Sequence, residues 1–133
     1  MAAKVFDAYA VMAFFENEKG ADFIRELIQK AEEGGVELLM SVVNLGEVWY
    51  AIAREYSPNR ADSCIQEIEG MAIEIVDADW PQTHQAALFK ANGNISYGDC
   101  FAAALAKARN AELITGDKEF RTLEKEIKIH WLL

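Results

Sequence analysis

The 133-residue sequence has few of the residues that cross-link or interrupt a chain. It contains two cysteines and two prolines. Cys64 and Cys100 have neither a metal-ligand spacing nor the pattern of a disulfide framework, so we expect small, buried, reduced side chains. No proline-rich linker or low-complexity segment divides the chain. The length suits one domain with a real core, and we predict a single domain over residues 1–133.

Long apolar runs are also missing. The longest, Ala8 to Phe15, is far shorter than the roughly 20 residues that a membrane span needs. The residues before Asp7 do not have the charged and apolar regions of a secretory signal. We therefore expect a cytoplasmic protein without a membrane partner.

Positive charge is scarce, with 13 Lys and Arg against 22 Asp and Glu and a net charge of −9. This balance argues against broad, non-specific binding to duplex nucleic acid, because such binding depends on neutralising phosphates. The net charge does not exclude a local group of basic residues at the rim of a site.

No glycine-rich phosphate loop is present. No Ser–His–Asp or Cys–His arrangement stands out, and we expect structural or surface roles for His84 and His130.

Short apolar runs of strand length alternate with segments of helical periodicity along the whole chain. The predicted strands are Lys4–Phe6, Val36–Ser41, Ala72–Val76, Ala111–Thr115 and Ile127–Leu132. This alternation predicts an α/β fold, with a parallel sheet covered by helices on both faces. Ligands in such folds bind beyond the carboxyl ends of the strands.

Four acidic residues occupy positions near those strand ends. Asp7 and Asp117 directly follow predicted strands, Asp99 opens an alanine-rich helix, and Glu47 shares a helix face with Asn44. Two like charges 4 Å apart repel by about 4 kcal/mol at an effective dielectric of 20. A cluster of carboxylates therefore needs compensation, and oxygen ligands favour Mg²⁺ or Mn²⁺. Such an ion activates water and stabilises the charge that develops when a phosphodiester is displaced.

Each acid also has an ordinary structural interpretation. Asp99 lies three residues after Ser96, which fits a capping box. Asp117 fits a cap of the short helix that follows it. Asp7 fits a turn after a strand, and Glu47 an exposed carboxylate on a helix. Spacing alone leaves both interpretations open.

The residues around the acids resemble the four sequence motifs of PIN-domain proteins, in the family's order and almost from end to end. The four stretches are VFDAYA (5–10), SVVNLGEV (41–48), ISYGDCFAAALA (95–106) and LITGDKEF (113–120). The likeness is greatest to the VapC toxins of toxin–antitoxin pairs.

This resemblance implies a PIN-like three-layer α/β sandwich with a central parallel sheet flanked by helices. It implies Mg²⁺- or Mn²⁺-dependent endonucleolytic cleavage of RNA that leaves 5′-phosphate and 3′-hydroxyl ends. Asp7, Asp99 and Asp117 would hold one or two metal ions, and Glu47 would either ligate a metal or orient the attacking water. By position, the supporting polar residues are Asn44 and Thr115.

The resemblance also implies partners. The family's toxins usually form homodimers, and a small antitoxin usually silences them by placing its tail in the groove near the acids. Two other interpretations stay open: a catalytically silent PIN-like module that binds protein or RNA, and a housekeeping RNA-processing nuclease. The intact acids favour an enzyme, and the short chain favours a toxin.

Two further features bear on the site. Lys118 and Arg121 lie just beyond Asp117 and are candidates for contacting RNA phosphates, although a solvated helix face is the more common explanation of such residues. Gly98 and Cys100 stand where the family more often has alanine. We expect Gly98 to loosen the start of its helix, since glycine costs up to about 1 kcal/mol against alanine.

Overall fold

The computed structural model describes residues 1–132, and Leu133, the last residue of the predicted domain, lies outside the described residues. Strands and helices alternate along the chain. In order they are β1 (Ala3–Phe6), α1 (Ala8–Phe15), α2 (Ala21–Glu32), β2 (Glu37–Ser41), α3 (Val42–Glu55), α4 (Pro58–Glu69), β3 (Ile73–Val76), α5 (Trp80–Ala91), α6 (Tyr97–Ala108), β4 (Glu112–Thr115), a 3₁₀ helix (Lys118–Leu123) and β5 (Ile129–Trp131).

The five strands form one parallel sheet in the order β3-β2-β1-β4-β5. In the central register, Val5 of β1 pairs with Leu39 of β2 and Leu113 of β4. β1 lies at the centre of the sheet. The chain adds β2 and β3 on one side of β1 and later adds β4 and β5 on the other side. Ligands bind at such a point, beyond the carboxyl ends of the strands. The segments that follow β1, β2 and β4 therefore meet at one end of the sheet.

Both faces of the sheet are covered, because side chains alternate along each strand. Val5, Leu39 and Leu113 point into a core shared with α5, α6 and the 3₁₀ helix. Their neighbours Phe6 and Ile114 point the other way, into a core shared with α1 to α4. The predicted three-layer α/β sandwich with a central parallel sheet is confirmed.

The helix ends follow local sequence signals. Gly34 has φ +80, and Gly35 N donates to Lys30 O at 2.8 Å, which ends α2 in a Schellman arrangement. Asn17 and Asn110 take the same left-handed conformation after α1 and α6. The short helix predicted after Asp117 is present, but it is a 3₁₀ helix and ends at Leu123.

No helix in residues 1–132 combines the length and the apolar character needed to cross a membrane.

Candidate active site

Asp7 is held at the centre of the sheet's carboxyl end. It directly follows β1, is 1% exposed and caps α1, with Oδ1 accepting a hydrogen bond from Ala10 N at 2.9 Å. Its other oxygen, Oδ2, accepts from the Thr115 hydroxyl at 2.5 Å. Two elements therefore fix the orientation of this carboxylate.

Thr115, the last residue of β4, connects Asp7 to Asp117. Its buried hydroxyl donates to Asp7 and accepts from Asp117 N at 3.0 Å. Asp117 caps the 3₁₀ helix, with Oδ1 accepting from Glu119 N at 3.0 Å. The turn after β4 is thereby ordered against the end of β1.

Asp99 enters the same region from the first turn of α6. Ser96 caps this helix by accepting from Asp99 N at 3.3 Å, and Asp99 itself is 9% exposed. Oxygen atoms of Asp99, Asp117 and Glu119 lie within 4.8 Å of one another. Three carboxylates at this separation can hold a divalent cation.

Glu119 is a candidate ligand that the sequence interpretation missed. It lies two residues after Asp117, on the first turn of the 3₁₀ helix. The available signal was a second acid inside the fourth motif, two residues after Asp117. Its meaning depended on where the turn placed it, and an exposed glutamate on a short helix usually has no such role.

Glu47 is half-buried on α3 and is held by Asn44. The fully buried Asn44 donates through Nδ2 to Glu47 Oε1 at 2.7 Å and to Gly98 O at 2.9 Å. Asn44 Oδ1 is buried without a hydrogen-bond partner among residues 1–132. Asn44 thus joins α3 to the start of α6 and orients the Glu47 side chain.

Burial, reinforced by neighbouring negative charge, raises the pKa of Asp7, Asp99 and Glu47. Burial raises the pKa of Asp7 to about 7, the hydrogen bonds from Thr115 and Ala10 act against this, and the charges of Asp117 and Glu47 add to it. Burial, followed by the charge of Asp117, holds the pKa of Asp99 well above its ordinary value. Burial also raises the pKa of Glu47, partly offset by the hydrogen bond from Asn44. A bound cation would supply the missing compensation.

A cleft of about 430 Å³ opens over the acids. Its apolar wall includes Tyr9, Met12 and Tyr50. All of the charged residues that line it, within the described chain, are acidic: Glu16, Glu18, Glu47, Asp99, Asp117 and Glu119. Lys118 and Arg121 are exposed on the 3₁₀ helix and are not among those lining residues.

The four predicted acids therefore meet at one end of the sheet, together with the predicted supporting residues Asn44 and Thr115. The capping interpretation is also correct for Asp117 and for the helix that carries Asp99, which Ser96 caps. Asp7, interpreted as a turn residue, caps α1. Capping and membership of the cluster are compatible, because an ionised carboxylate has about four acceptor sites and a cap uses one.

Comparison with known proteins identifies a matching family model and a set of solved structures with a similar fold. The family model described as PIN domain matches residues 4–126. No curated protein matches the chain. Among solved structures, DNA-bound VapBC from Salmonella typhimurium aligns with a TM-score of 0.75 and 16% identity over 100% of both chains. VapBC2 from Rickettsia felis, bound to a promoter fragment, aligns with a TM-score of 0.74 and 17% identity over 96% of this chain and 97% of that one.

A third structure is VapC20 from Mycobacterium tuberculosis, named as a toxin that cleaves the sarcin–ricin loop. It aligns with a TM-score of 0.69 and 13% identity over 90% of this chain and 93% of that one. At these identities the likeness establishes a shared fold.

Proposed function

This chain belongs to the PIN-domain family, and we propose that it is a metal-dependent endoribonuclease, the toxin of a type II toxin–antitoxin pair. The observation that carries the proposal is the acidic cluster. Carboxylate oxygens of Asp99, Asp117 and Glu119 lie within 4.8 Å of one another, at the end of the sheet where Asp7 is buried and where Glu47 lines the same cleft.

The donor set fits Mg²⁺ or Mn²⁺. Both are hard cations that bind carboxylate oxygens, and Mg²⁺ usually binds through one or two carboxylates while keeping several waters. We propose Asp7, Asp99 and Asp117 as the metal-holding residues, with Glu119 beside them. When bound, the cation would lower the pKa of bound water and offset the charge that develops on the phosphodiester.

The protein's own residues would orient the reacting groups. Asn44 restrains Glu47 through Oε1, which leaves the carboxylate directed at the cleft as the group that orients the attacking water or joins the metal ligands. Thr115 keeps Asp7 in one orientation. Attack of water on phosphorus with cleavage of the bond from phosphorus to O3′ leaves a 5′-phosphate and a 3′-hydroxyl end, the latter receiving the proton.

The toxin assignment is supported by the fold shared with VapBC proteins and by the charge of the cleft. A cleft lined by six carboxylates and by tyrosines favours a partner segment with basic and apolar side chains. We propose the tail of a small antitoxin as that partner, in the cytoplasm. Lys118 and Arg121, exposed beside Asp117, are proposed to contact RNA phosphates.

We also propose a homodimer. Exposed large apolar side chains on α5, Trp80 and Leu88, offer an interaction surface. Light scattering on the purified protein should give twice the 14.9 kDa of one chain. A mass of one chain at micromolar concentration would contradict this part of the proposal.

The activity is tested with total cellular RNA incubated with purified protein in Mg²⁺, in Mn²⁺ and in EDTA. Asp99→Asn removes one charge from the cluster, and Asp22→Asn is the matched control because Asp22 is an exposed residue paired with Arg25 on α2. We expect discrete fragments with either metal for the wild type and Asp22→Asn. Fragments should be absent in EDTA and with Asp99→Asn.

Two results would count against the proposal. Cleavage that persists in EDTA or in Asp99→Asn would show that the acids are not the site. An inert, folded, antitoxin-free wild type would favour the silent binding module, and retention of RNA on the protein without cleavage would identify it as such.

A further inference from the structure

Gly98 lies in the first turn of α6, immediately before Asp99, and faces Glu47 of α3. A Cβ atom built on Gly98 would overlap the Glu47 carboxylate, since the three atoms nearest to it are Glu47 Oε2, Cδ and Oε1. The carboxylate therefore occupies the space that any side chain at position 98 would need.

The backbone does not require glycine here. The glycines with positive φ in residues 1–132 are Gly20 and Gly34, so Gly98 has a conformation that alanine adopts freely. Alanine would also favour the helix. Gly98 was expected to loosen the helix start. It also permits a close contact with the Glu47 carboxylate that a side chain at this position would prevent.

A hydrogen-bonded clamp strengthens this contact. The same Asn44 amide donates to Glu47 Oε1 at 2.7 Å and to Gly98 O at 2.9 Å. Both bonds come from one amide nitrogen of a fully buried side chain. If this amide followed a displaced carboxylate, it would lose the bond to Gly98. Gly98 thus restrains Glu47 in two ways, by its missing Cβ and by its carbonyl.

We propose that Gly98 is a positioning residue that holds the Glu47 carboxylate against the first turn of α6, the turn that carries Asp99. This inference rests on the proposed role of Glu47 in the nuclease site. A methyl group at position 98 displaces a carboxylate at the end of a flexible side chain, which moves without unfolding the protein. The site is then altered while the fold is kept.

The test compares Gly98→Ala with Gly46→Ala. Gly46 precedes Glu47 on α3, and a Cβ built there meets nothing within 4 Å. Both changes add one methyl group to a helix next to a site acid. We expect Gly98→Ala to lower kcat for RNA cleavage, or the affinity for Mn²⁺ measured by calorimetry, by about 10- to 100-fold. Its thermal unfolding midpoint should not fall. Gly46→Ala should match the wild type in kcat and in Mn²⁺ affinity, and its unfolding midpoint should be equal or higher, because alanine favours the helix.

A double-mutant cycle with Glu47→Asp separates positioning from a general structural effect. Aspartate is one methylene shorter, so it leaves room for a Cβ at position 98. In the Glu47→Asp background, Gly98→Ala should therefore have little further effect. If Gly98→Ala alone fails to fold, Glu47→Asp should restore folding for the same reason.

A readout independent of activity is the side-chain amide signal of Asn44 in a ¹⁵N NMR spectrum. It should shift in Gly98→Ala and stay in place in Gly46→Ala. If wild-type protein cleaves RNA but Gly98→Ala resembles Gly46→Ala in activity, Mn²⁺ binding and this signal, the inference is wrong and the proposed function stands. If the wild type is inert, the proposed function fails, and an unmoved Asn44 signal would also reject the contact.

Discussion

Thr115 shows how much of the site depends on one hydroxyl group. It donates to the buried Asp7 and accepts from Asp117 N at 3.0 Å, so it orders the ends of two neighbouring strands at once. Asp7 is far from Thr115 in the sequence, and Asp117 lies across a turn from it. Valine has a similar shape without the hydroxyl and would leave Asp7 Oδ2 and Asp117 N without this hydrogen bond. A substitution at Thr115 therefore tests the hydrogen bonds that join Asp7 and Asp117.

Thr115→Val should lower the free energy of unfolding by about 1–3 kcal/mol, because a buried acceptor loses its donor. It should also raise the pKa of Asp7 above about 7, since the hydrogen bond from Thr115 lowers it. Urea unfolding measures the stability. The loss should be larger at about pH 8, where Asp7 is ionised, than at about pH 5, where it is protonated.

Thr115→Ser keeps the hydroxyl and is the matched control for that experiment. It should retain most of the pH dependence of the wild type. Equal stability of Thr115→Val and the wild type at about pH 8 would show that the hydrogen bond is not significant.

At the scale of elements, the starts of the helices carry the site. α1, α6 and the 3₁₀ helix each begin with a side-chain cap at the carboxyl end of the sheet, formed by Asp7, Ser96 and Asp117. The caps satisfy backbone N–H groups that the first turn leaves free. They also direct the first turn of each helix, and hence Asp99 and Glu119, toward the cleft.

Ser96→Ala should cost about 1 kcal/mol of stability, because the cap of α6 is lost. It should also weaken Mn²⁺ binding, because the capped N–H belongs to Asp99. Ser57→Ala is the control, since Ser57 caps α4 in the same way by accepting from Arg60 N at 3.0 Å, away from the cleft. Unfolding in urea and calorimetry with Mn²⁺ measure the two effects. If both variants lose stability but neither loses metal affinity, the cap does not position Asp99.

At the scale of the whole molecule, the acidic cluster couples stability to pH and to metal. The pKa of Asp7 is raised from 3.8 to about 7, so the folded protein holds a proton that the unfolded chain has already released in that interval. Stability linked to this group is therefore unimpaired below about pH 4 and is lost as pH rises toward 7. Burial also raises the pKa of Asp99 and the pKa of Glu47, so both groups change the stability with pH in the same direction.

Metal should reverse this trend. Bound Mg²⁺ or Mn²⁺ needs deprotonated carboxylates, so its stabilising effect should grow between about pH 5 and pH 8. Thermal unfolding across this range, in EDTA and with excess Mn²⁺, measures the difference. The gap between the two melting curves should widen with pH, and a gap that is constant or narrows would contradict a metal site built on these acids.

The layered fold and the positions of the four acids near the strand ends follow from local sequence patterns. Alternating apolar runs and helical periods specify which side chains are buried, and a parallel sheet brings the ends of its strands together. Asp7 and Asp117 both follow predicted strands, so a parallel sheet places them at the same end. That these two strands are neighbours in the sheet is known only from the structure. The end of α2 at Gly34 is a local feature in the same sense.

Which side chains contact one another depends on how the whole chain packs. Glu119 joins Asp99 and Asp117 because the segment after Asp117 is a 3₁₀ helix, whose tighter turn no propensity rule distinguished from an α-helix. The contact between Gly98 and Glu47 joins two helices distant in the chain. Its distance depends on how α3 and α6 pack, and packing is a property of the whole core that no single stretch of sequence contains.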